Sequence, residues 1–185
     1  MLTHSDPSPE RAAKMVIWIT GLSGAGKTSI GRAVVDLWRR KNSAVVMIDG
    51  DDVRQILGRE NLDDYTPAGR RAVAEPIAAM CKWLDDQEIN VVCCTISSFP
   101  DLLSANRTRF HKYFEVFIDV PMDIVATRSD SDLYDRAHRG EIENVVGVDI
   151  PYTPPETPDL VIDNAADAAE FSAIASTILT RASVI

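Results

Sequence analysis

The chain has 185 residues, the length of one ordinary domain, and is 45% hydrophobic and 25% charged, a globular composition that excludes a disordered or collagen-like protein. Its 19 basic and 28 acidic residues give a net charge of −9, which disfavours non-specific binding to nucleic acid or to an anionic membrane. Any anionic ligand therefore needs a local site that supplies its own positive groups.

The amino-terminal residues are polar, contain two prolines and predict a flexible tail (1–14) before one domain that spans 15–185. No apolar stretch approaches the roughly 20 residues that a membrane span requires. The three cysteines lack metal-ligand spacing and are interpreted as reduced core thiols. These features together predict a cytoplasmic protein.

Five short apolar runs recur along the chain and predict strands. The runs are Met15–Thr20, Ala44–Asp49, Ile89–Thr95, Phe114–Val120 and Leu160–Asp163. They are nearly continuous rather than alternating, as in strands that are buried on both faces of a parallel sheet. Helical spacing lies between them, as in Val73, Ile77 and Cys81, with Pro76 near a helix start or kink. The pattern predicts a three-layer α/β/α fold with a mainly parallel five-stranded sheet, in which ligands bind beyond the carboxyl ends of the strands.

The first predicted strand is followed by Gly-Leu-Ser-Gly-Ala-Gly-Lys-Thr at residues 21–28, a complete G-x-x-x-x-G-K-[ST] motif. Glycines let backbone amides surround phosphate oxygens, and the helix that follows directs its positive end at the same anion. The motif predicts that Lys27 contacts the β- and γ-phosphates of a nucleoside triphosphate and that the Thr28 hydroxyl binds Mg²⁺. A chance glycine-rich turn is disfavoured because the motif joins a buried strand to an amphipathic helix. The candidate nucleotide-binding residues are Gly21, Ser23, Gly24, Ala25, Gly26, Lys27, Thr28 and Ser29.

Carboxylates follow the second predicted strand in the segment Asp49-Gly-Asp-Asp-Val-Arg54. At this strand end Asp49 and Asp51 could bind Mg²⁺ or accept a proton from an attacking hydroxyl. The alternative is a helix cap beside solvated acids. Arg54 lies one turn into the next predicted helix, where it could hold a second anionic substrate.

Two further segments come from the third strand and from the region after the fourth. Ile96 and Ser97 follow the third strand, where they could contact an acceptor or simply cap the next helix. Arg128 begins a polar stretch that could form a lid over the triphosphate, although a lone arginine can also be merely exposed.

These motifs together resemble the adenylyl-sulfate kinase family, P-loop kinases that phosphorylate the 3′-hydroxyl of adenosine 5′-phosphosulfate. The resemblance covers about residues 15–164 and rests on segments 21–28, 49–54, 95–99, 133–134, 140–144, 147–149 and 151–152. It implies ATP and Mg²⁺ as cofactors, with Thr28 and Asp49 at the metal. It also implies catalytic roles for Lys27, Asp49, Asp51 and Ser97. The acceptor-binding residues implied are Asp51, Arg54, Tyr65, Arg70, Ile96, Ser97 and Val145.

The chain departs from the family pattern in the part that would contact the acceptor. Tyr65 and Arg70 fit the family's acceptor-binding segment, but residues 72–76 read Ala-Val-Ala-Glu-Pro where the family has Glu-Asn-Ile-Arg-Arg. Val145 stands where a second aromatic residue normally stacks on the substrate adenine. One stacked ring contributes about 1–3 kcal/mol per base, so a weaker preference for adenine is expected. In this the chain resembles cytidine diphosphoramidate kinases.

The leading hypothesis is a kinase that transfers the γ-phosphate of Mg·ATP to the ribose 3′-hydroxyl of a nucleotide with a modified 5′-phosphate. Adenylyl sulfate and a cytidine diphosphoramidate-like acceptor both stay open. The alternatives are a non-catalytic P-loop module that binds nucleotide without turnover, and a kinase of another small hydroxyl compound. The expected partner is a small nucleotide acceptor, with neither nucleic acid nor membrane, and a homodimer is an option.

Overall fold

The protein folds around a five-stranded sheet in which all strands run parallel. The computed structural model describes residues 14–41, 44–96, 99–128, 132–165 and 170–185. The strands are β1 (Val16–Thr20), β2 (Val45–Asp49), β3 (Asn90–Thr95), β4 (Tyr113–Asp119) and β5 (Leu160–Asp163). Their order across the sheet is β2-β3-β1-β4-β5. The predicted strands and the predicted α/β class are thus confirmed, whereas the predicted tail lies, except for Lys14, outside the described residues.

Seven helices connect or flank these strands in the described part of the chain. They are α1 (Lys27–Arg39), α2 (Gly50–Ile56), α3 (Pro67–Asp86), α4 (Pro100–Arg109), α5 (Met122–Arg128), α6 (Leu133–His138) and α7 (Phe171–Arg181). A short 3₁₀ helix (Leu62–Tyr65) precedes α3. Helix α3 begins at Pro67 and Pro76 lies inside it, so of the two alternatives for Pro76 the kink stays a prediction and the helix start is wrong. The reason is a strong amino-terminal signal, because Pro67 occupies the first turn and the Thr66 hydroxyl accepts a hydrogen bond from the Gly69 amide at 3.1 Å.

Hydrophobic residues cover both faces of the sheet, which explains why the strands are continuously apolar. Ile17 and Ile19 of β1 face one side, where they belong to the core that includes α1 and α7. Val16 and Trp18 face the other side and belong to the core that includes α3. The two faces alternate along each strand as a pleated backbone requires.

Helix α1 approaches the sheet closely because it has a glycine at the point of contact. A Cβ atom at Gly31 would lie only 2.4 Å from the Cys94 sulfur, so a larger residue would push the helix away. The Cys94 thiol also lies 3.4 Å from the Lys27 carbonyl oxygen, at the first turn of the helix. This contact fixes the start of α1 above the carboxyl end of β3. In the described part of the chain, none of the helices is long and apolar enough to cross a membrane.

Candidate active site

The phosphate-binding motif forms a tight loop between the end of β1 and the start of α1. Gly24 and Gly26 have φ angles of 81° and 93°, a region that side chains rarely adopt. A Cβ atom at Gly24 would lie 3.0 Å from the Val125 carbonyl oxygen, so the loop also packs tightly on α5. The glycines therefore allow both the curvature of the loop and its close packing, and the loop ends at the first turn of α1.

Lys27 lies at the start of α1 with its ammonium group folded back onto the loop. Its Nζ atom donates a hydrogen bond to the Leu22 carbonyl oxygen at 2.7 Å. Burial lowers the pKa of Lys27, although the nearby Cys94, Asp51 and Asp49 act in the opposite direction. The hydrogen bond to Leu22 holds the Lys27 amino group against the phosphate-binding loop.

The Thr28 hydroxyl and the Asp49 carboxylate meet beside the loop. Thr28 Oγ1 donates to Asp49 Oδ2 at 2.8 Å, and the other carboxylate oxygen of Asp49 accepts from the Asp51 amide at 3.0 Å. The meeting follows from the parallel sheet, because β1 and β2 both pair with β3 and end at the same edge. Hydroxyl and carboxylate oxygens are ligands that Mg²⁺ prefers, so this pair has suitable chemistry for the metal.

The guanidinium groups of two arginines lie close to the ring of Tyr65. The guanidinium carbon of Arg54 lies 4.6 Å from the ring centroid and that of Arg70 lies 5.6 Å from it. Arg54 donates to the Asp64 carbonyl oxygen at 2.9 Å, and Arg70 Nε donates to the Tyr65 carbonyl oxygen at 2.8 Å. The pKa of Arg70 is lowered, first by burial and then by the charge of Arg54. Two positive groups that repel each other in this way are suited to share an anion.

One continuous cavity of about 490 Å³ joins the two groups of residues. Thirteen of the candidate residues line it: Ser23, Gly24, Gly26, Lys27, Thr28, Ser29, Asp49, Asp51, Arg54, Tyr65, Arg70, Ile96 and Val145. We call the part around Lys27 and Asp49 the donor half, and the part around Tyr65 and Arg70 the acceptor half. Asp51, which follows the end of β2 by two residues, lines the cavity that joins the two halves.

A family model for adenylylsulphate kinase matches residues 13–163. The chain belongs to the adenylylsulphate kinase family. Cytidine diphosphoramidate kinase of Campylobacter jejuni is 40% identical over 150 residues, which covers 81% of this chain and 86% of that relative. Adenylyl-sulfate kinase of Halothermothrix orenii is 33% identical over 159 residues, covering 86% of this chain and 85% of the relative.

Solved structures agree with this assignment. The structure of the Mycobacterium tuberculosis APS kinase CysC in complex with AMPPNP and APS has a TM-score of 0.81 and 27% identity, covering 91% of this chain and 97% of that one. The chain is therefore a kinase, an ATP-dependent phosphotransferase with the P-loop fold that its sequence predicts.

Three of the candidate residues of the kinase do not line the cavity. Ala25 is fully buried, and a Cβ atom at Gly21 would lie 2.7 Å from the Ile118 carbonyl oxygen. Arg128, at the end of α5, donates to the Asn164 and Ala165 carbonyl oxygens at 2.6 and 2.9 Å. Their predicted contacts with nucleotide stay predictions. Ser97 lies outside the described residues, so its predicted role also stays a prediction.

Two residues that contact the phosphate-binding loop were not among the candidate site residues, although Tyr134 belongs to a segment on which the family resemblance rests. The Tyr134 hydroxyl, on α6, donates to the Ser23 carbonyl oxygen at 2.9 Å, and burial raises the pKa of Tyr134 to about 12. The Asn164 amide, directly after β5, donates to the Ala25 carbonyl oxygen at 2.9 Å. Asn164 could have been found, since it follows a strand at the edge where ligands bind. Segment 133–134 contributed to the family resemblance, but it did not indicate a contact with Ser23, because Tyr134 lies 111 residues further along the chain.

Proposed function

We propose that this kinase transfers the γ-phosphoryl group of Mg·ATP to the ribose 3′-hydroxyl of a nucleotide with a modified 5′-phosphate, and that a cytidine diphosphoramidate-like nucleotide is the preferred acceptor. The observation that carries the proposal is the single cavity in which a phosphate-binding loop and a pair of arginines around an aromatic ring face a common space. A triphosphate and a second anionic nucleotide can both be held there.

The donor half supplies the groups that hold ATP. Amides of the loop bind the phosphates, and Lys27 exchanges its hydrogen bond with the Leu22 carbonyl for one with a phosphate oxygen. Thr28 and Asp49 would hold Mg²⁺, which neutralises charge on the phosphates. Tyr134 supports the loop from the outside by holding the Ser23 carbonyl oxygen.

The acceptor half supplies the groups that orient the second nucleotide. Arg54 and Arg70 would bind its 5′-phosphate groups, and the Tyr65 ring, which lines the cavity, would contact its base. Ile96 lines the cavity beyond β3 and would contact the same nucleotide. Asp51 is exposed at the start of α2 and lines the cavity that joins both halves.

The transfer needs positioning and charge rather than a covalent enzyme intermediate. The acceptor 3′-oxygen forms a bond to the γ-phosphorus as the bond from that phosphorus to the ADP oxygen breaks. The hydroxyl proton goes to the Asp51 carboxylate. Ser97 is proposed only as an acceptor-orienting residue, because direct in-line transfer leaves no step for a phosphoserine.

Val145 favours a cytidine nucleotide over adenylyl sulfate as the acceptor. It is almost fully buried and lines the cavity, so this wall offers an aliphatic side chain in place of a second stacking ring. The cytidine diphosphoramidate kinase of C. jejuni, at 40% identity, supports the same choice. Adenylyl sulfate is the second candidate, and the structural similarity to the M. tuberculosis APS kinase favours it.

Kinetics with the two acceptors test the proposal. Protein with Mg·ATP is given cytidine diphosphoramidate or adenylyl sulfate, ADP release is followed, and the phosphorylated position is identified by ³¹P NMR. We expect kcat/KM to be about tenfold higher with the cytidine nucleotide, as the loss of one stacked ring implies. If neither acceptor supports ADP release, or if the product is phosphorylated elsewhere than on the 3′-oxygen, the proposed function is contradicted. ATP binding without turnover would instead support a non-catalytic module. If neither acceptor nucleotide competes for binding at the site, a kinase of another hydroxyl compound would be supported.

A further inference from the structure

The segment after α6 forms a compact loop whose backbone is held by one carboxylate. Asp149 accepts hydrogen bonds from the amides of Asn144 and Val145, the second at 2.6 Å. The Val145 carbonyl oxygen in turn accepts from the amides of residues 148, 149 and 150. We call residues 144–150 the acceptor loop. Its conformation therefore depends on the Asp149 side chain as well as on backbone contacts.

The acceptor loop touches Arg70 through a backbone carbonyl group. Arg70 Nη2 donates to the Asn144 carbonyl oxygen at 2.8 Å, while Arg70 Nε donates to the Tyr65 carbonyl oxygen at 2.8 Å. The guanidinium plane is thus fixed by two carbonyl oxygens from distant parts of the chain. Only one of them, that of Asn144, belongs to a segment that Asp149 holds.

The backbone at Asn144 needs this support. Its φ angle is 67°, in the left-handed region that disfavours most side chains and that asparagine tolerates better than most. Asp149 offers two oxygens to the two consecutive amides at this turn, so it stabilises the unfavourable conformation directly. Loss of solvation disfavours the carboxylate form, but the hydrogen bonds from backbone amides and the charge of Arg70 outweigh it and lower the pKa of Asp149.

We infer that Asp149 is a positioning residue for the acceptor nucleotide: by holding the Asn144 backbone, it places the carbonyl oxygen that orients Arg70. The inference rests on the proposed function, because Arg70 is taken to bind the acceptor. Asp149 is exposed and lies outside the residues that line the cavity, so it acts through Arg70 rather than on substrate. Its loss should therefore weaken binding of the acceptor and leave binding of ATP unchanged.

The first experiment compares Asp149→Asn with Asp159→Asn. Asp159 is a matched control, because it also accepts from a backbone amide, that of Glu115 at 2.8 Å, and pairs with an arginine, Arg107, but this arginine does not line the cavity. Asp149→Asn should raise KM for the acceptor about fivefold, the order of one hydrogen bond, with KM for ATP within twofold of the unmodified enzyme. Asp159→Asn should change neither constant. Equal increases of both constants in Asp149→Asn, or no increase, would overturn the inference.

The second experiment asks whether the effect passes through Arg70. In an Arg70→Ala background, Asp149→Asn should raise the acceptor KM by less than twofold, whereas independent effects would multiply. Asn144 gives another pair that keeps the carboxylate. Asn144→Ala should raise the acceptor KM about threefold, and Asn144→Gly, which tolerates positive φ, should raise it by less. Full multiplication in the Arg70→Ala background, or identical constants for the two Asn144 variants, would overturn the inference.

Both experiments use cytidine diphosphoramidate and adenylyl sulfate as acceptors, and take whichever the unmodified enzyme phosphorylates faster. If the unmodified enzyme phosphorylates neither, the proposed function fails and this inference fails with it. If it phosphorylates one of them and Asp149→Asn behaves like Asp159→Asn, the inference about Asp149 fails alone.

Discussion

The donor half and the acceptor half of the cavity are built in different ways. The donor half comes from one continuous motif at residues 21–28, joined by Asp49 at the end of a strand two positions away in the sheet. The acceptor half draws Arg54, Tyr65 and Arg70 from one region and Asn144 from another, 74 residues from Arg70. A substitution in a contiguous motif affects the whole phosphate-binding loop, whereas a surface assembled from several segments can be altered at one segment without disturbing the others. The departures that the sequence interpretation expects, such as Val145 in place of an aromatic residue, accordingly fall in the acceptor half.

The largest loss of activity is expected from a substitution in the donor half. Lys27→Ala removes the positive group beside the phosphates and should lower kcat/KM on the order of 1000-fold, with either acceptor, because one stabilising charge near the transferred group contributes about this much. Steady-state ADP release measures the loss. Lys82→Ala is the control, since Lys82 pairs with Asp86 on the outer side of α3. A loss that appears with one acceptor and not the other would show that Lys27 does not belong to the donor half alone.

The next effect lies between the halves. Asp51→Asn should leave ATP binding intact and lower kcat about 100-fold, the usual order for a general base. ATP binding by calorimetry and ADP release by a coupled assay separate the two quantities. Asp52→Asn is the control, because Asp52 is its exposed neighbour in the same helical turn but does not line the cavity. Unchanged kcat in Asp51→Asn would remove Asp51 from the proton-accepting role.

The same contrast explains how much could be predicted from the sequence. The five strands and the loop residues were predictable, because apolar runs and the phosphate-binding motif each depend on neighbours in the chain. The contact between the Asn144 carbonyl and Arg70 was not predictable, since every residue has a backbone carbonyl and the sequence does not show which one an arginine contacts. The hydrogen bond from Tyr134 to Ser23, across 111 residues, was not predicted for a related reason, because the sequence does not show which distant group a tyrosine hydroxyl contacts. Sequence patterns predict side-chain chemistry near strand ends better than they predict the supports of that chemistry.

A smaller effect is expected on the preference between the two acceptors. Val145→Phe adds an aromatic side chain to the cavity wall and should shift the ratio of kcat/KM toward adenylyl sulfate about tenfold, which corresponds to about 1.4 kcal/mol. Kinetics with both acceptors at fixed ATP give the ratio. Val161→Phe, at a half-exposed position on β5, controls for added aromatic surface. Thermal unfolding of the variant is needed as well, because Val145 is buried and a larger ring can strain the core. A folded variant with an unchanged ratio would mean that position 145 does not contact the base.

The smallest effect decides to which half the helix α6 belongs. Tyr134→Phe removes one hydroxyl, and because burial raises the pKa of Tyr134 to about 12, that hydroxyl is protonated near neutral pH and donates to the Ser23 carbonyl oxygen. Loss of this hydrogen bond should raise KM for ATP about threefold and leave KM for the acceptor unchanged. Tyr113→Phe is the matched control, because the Tyr113 hydroxyl donates to Glu115 at 2.9 Å and Tyr113 does not line the cavity. An increase confined to the acceptor KM would place α6 with the acceptor half, and the donor half would then depend on its own motif and on Asn164 for support.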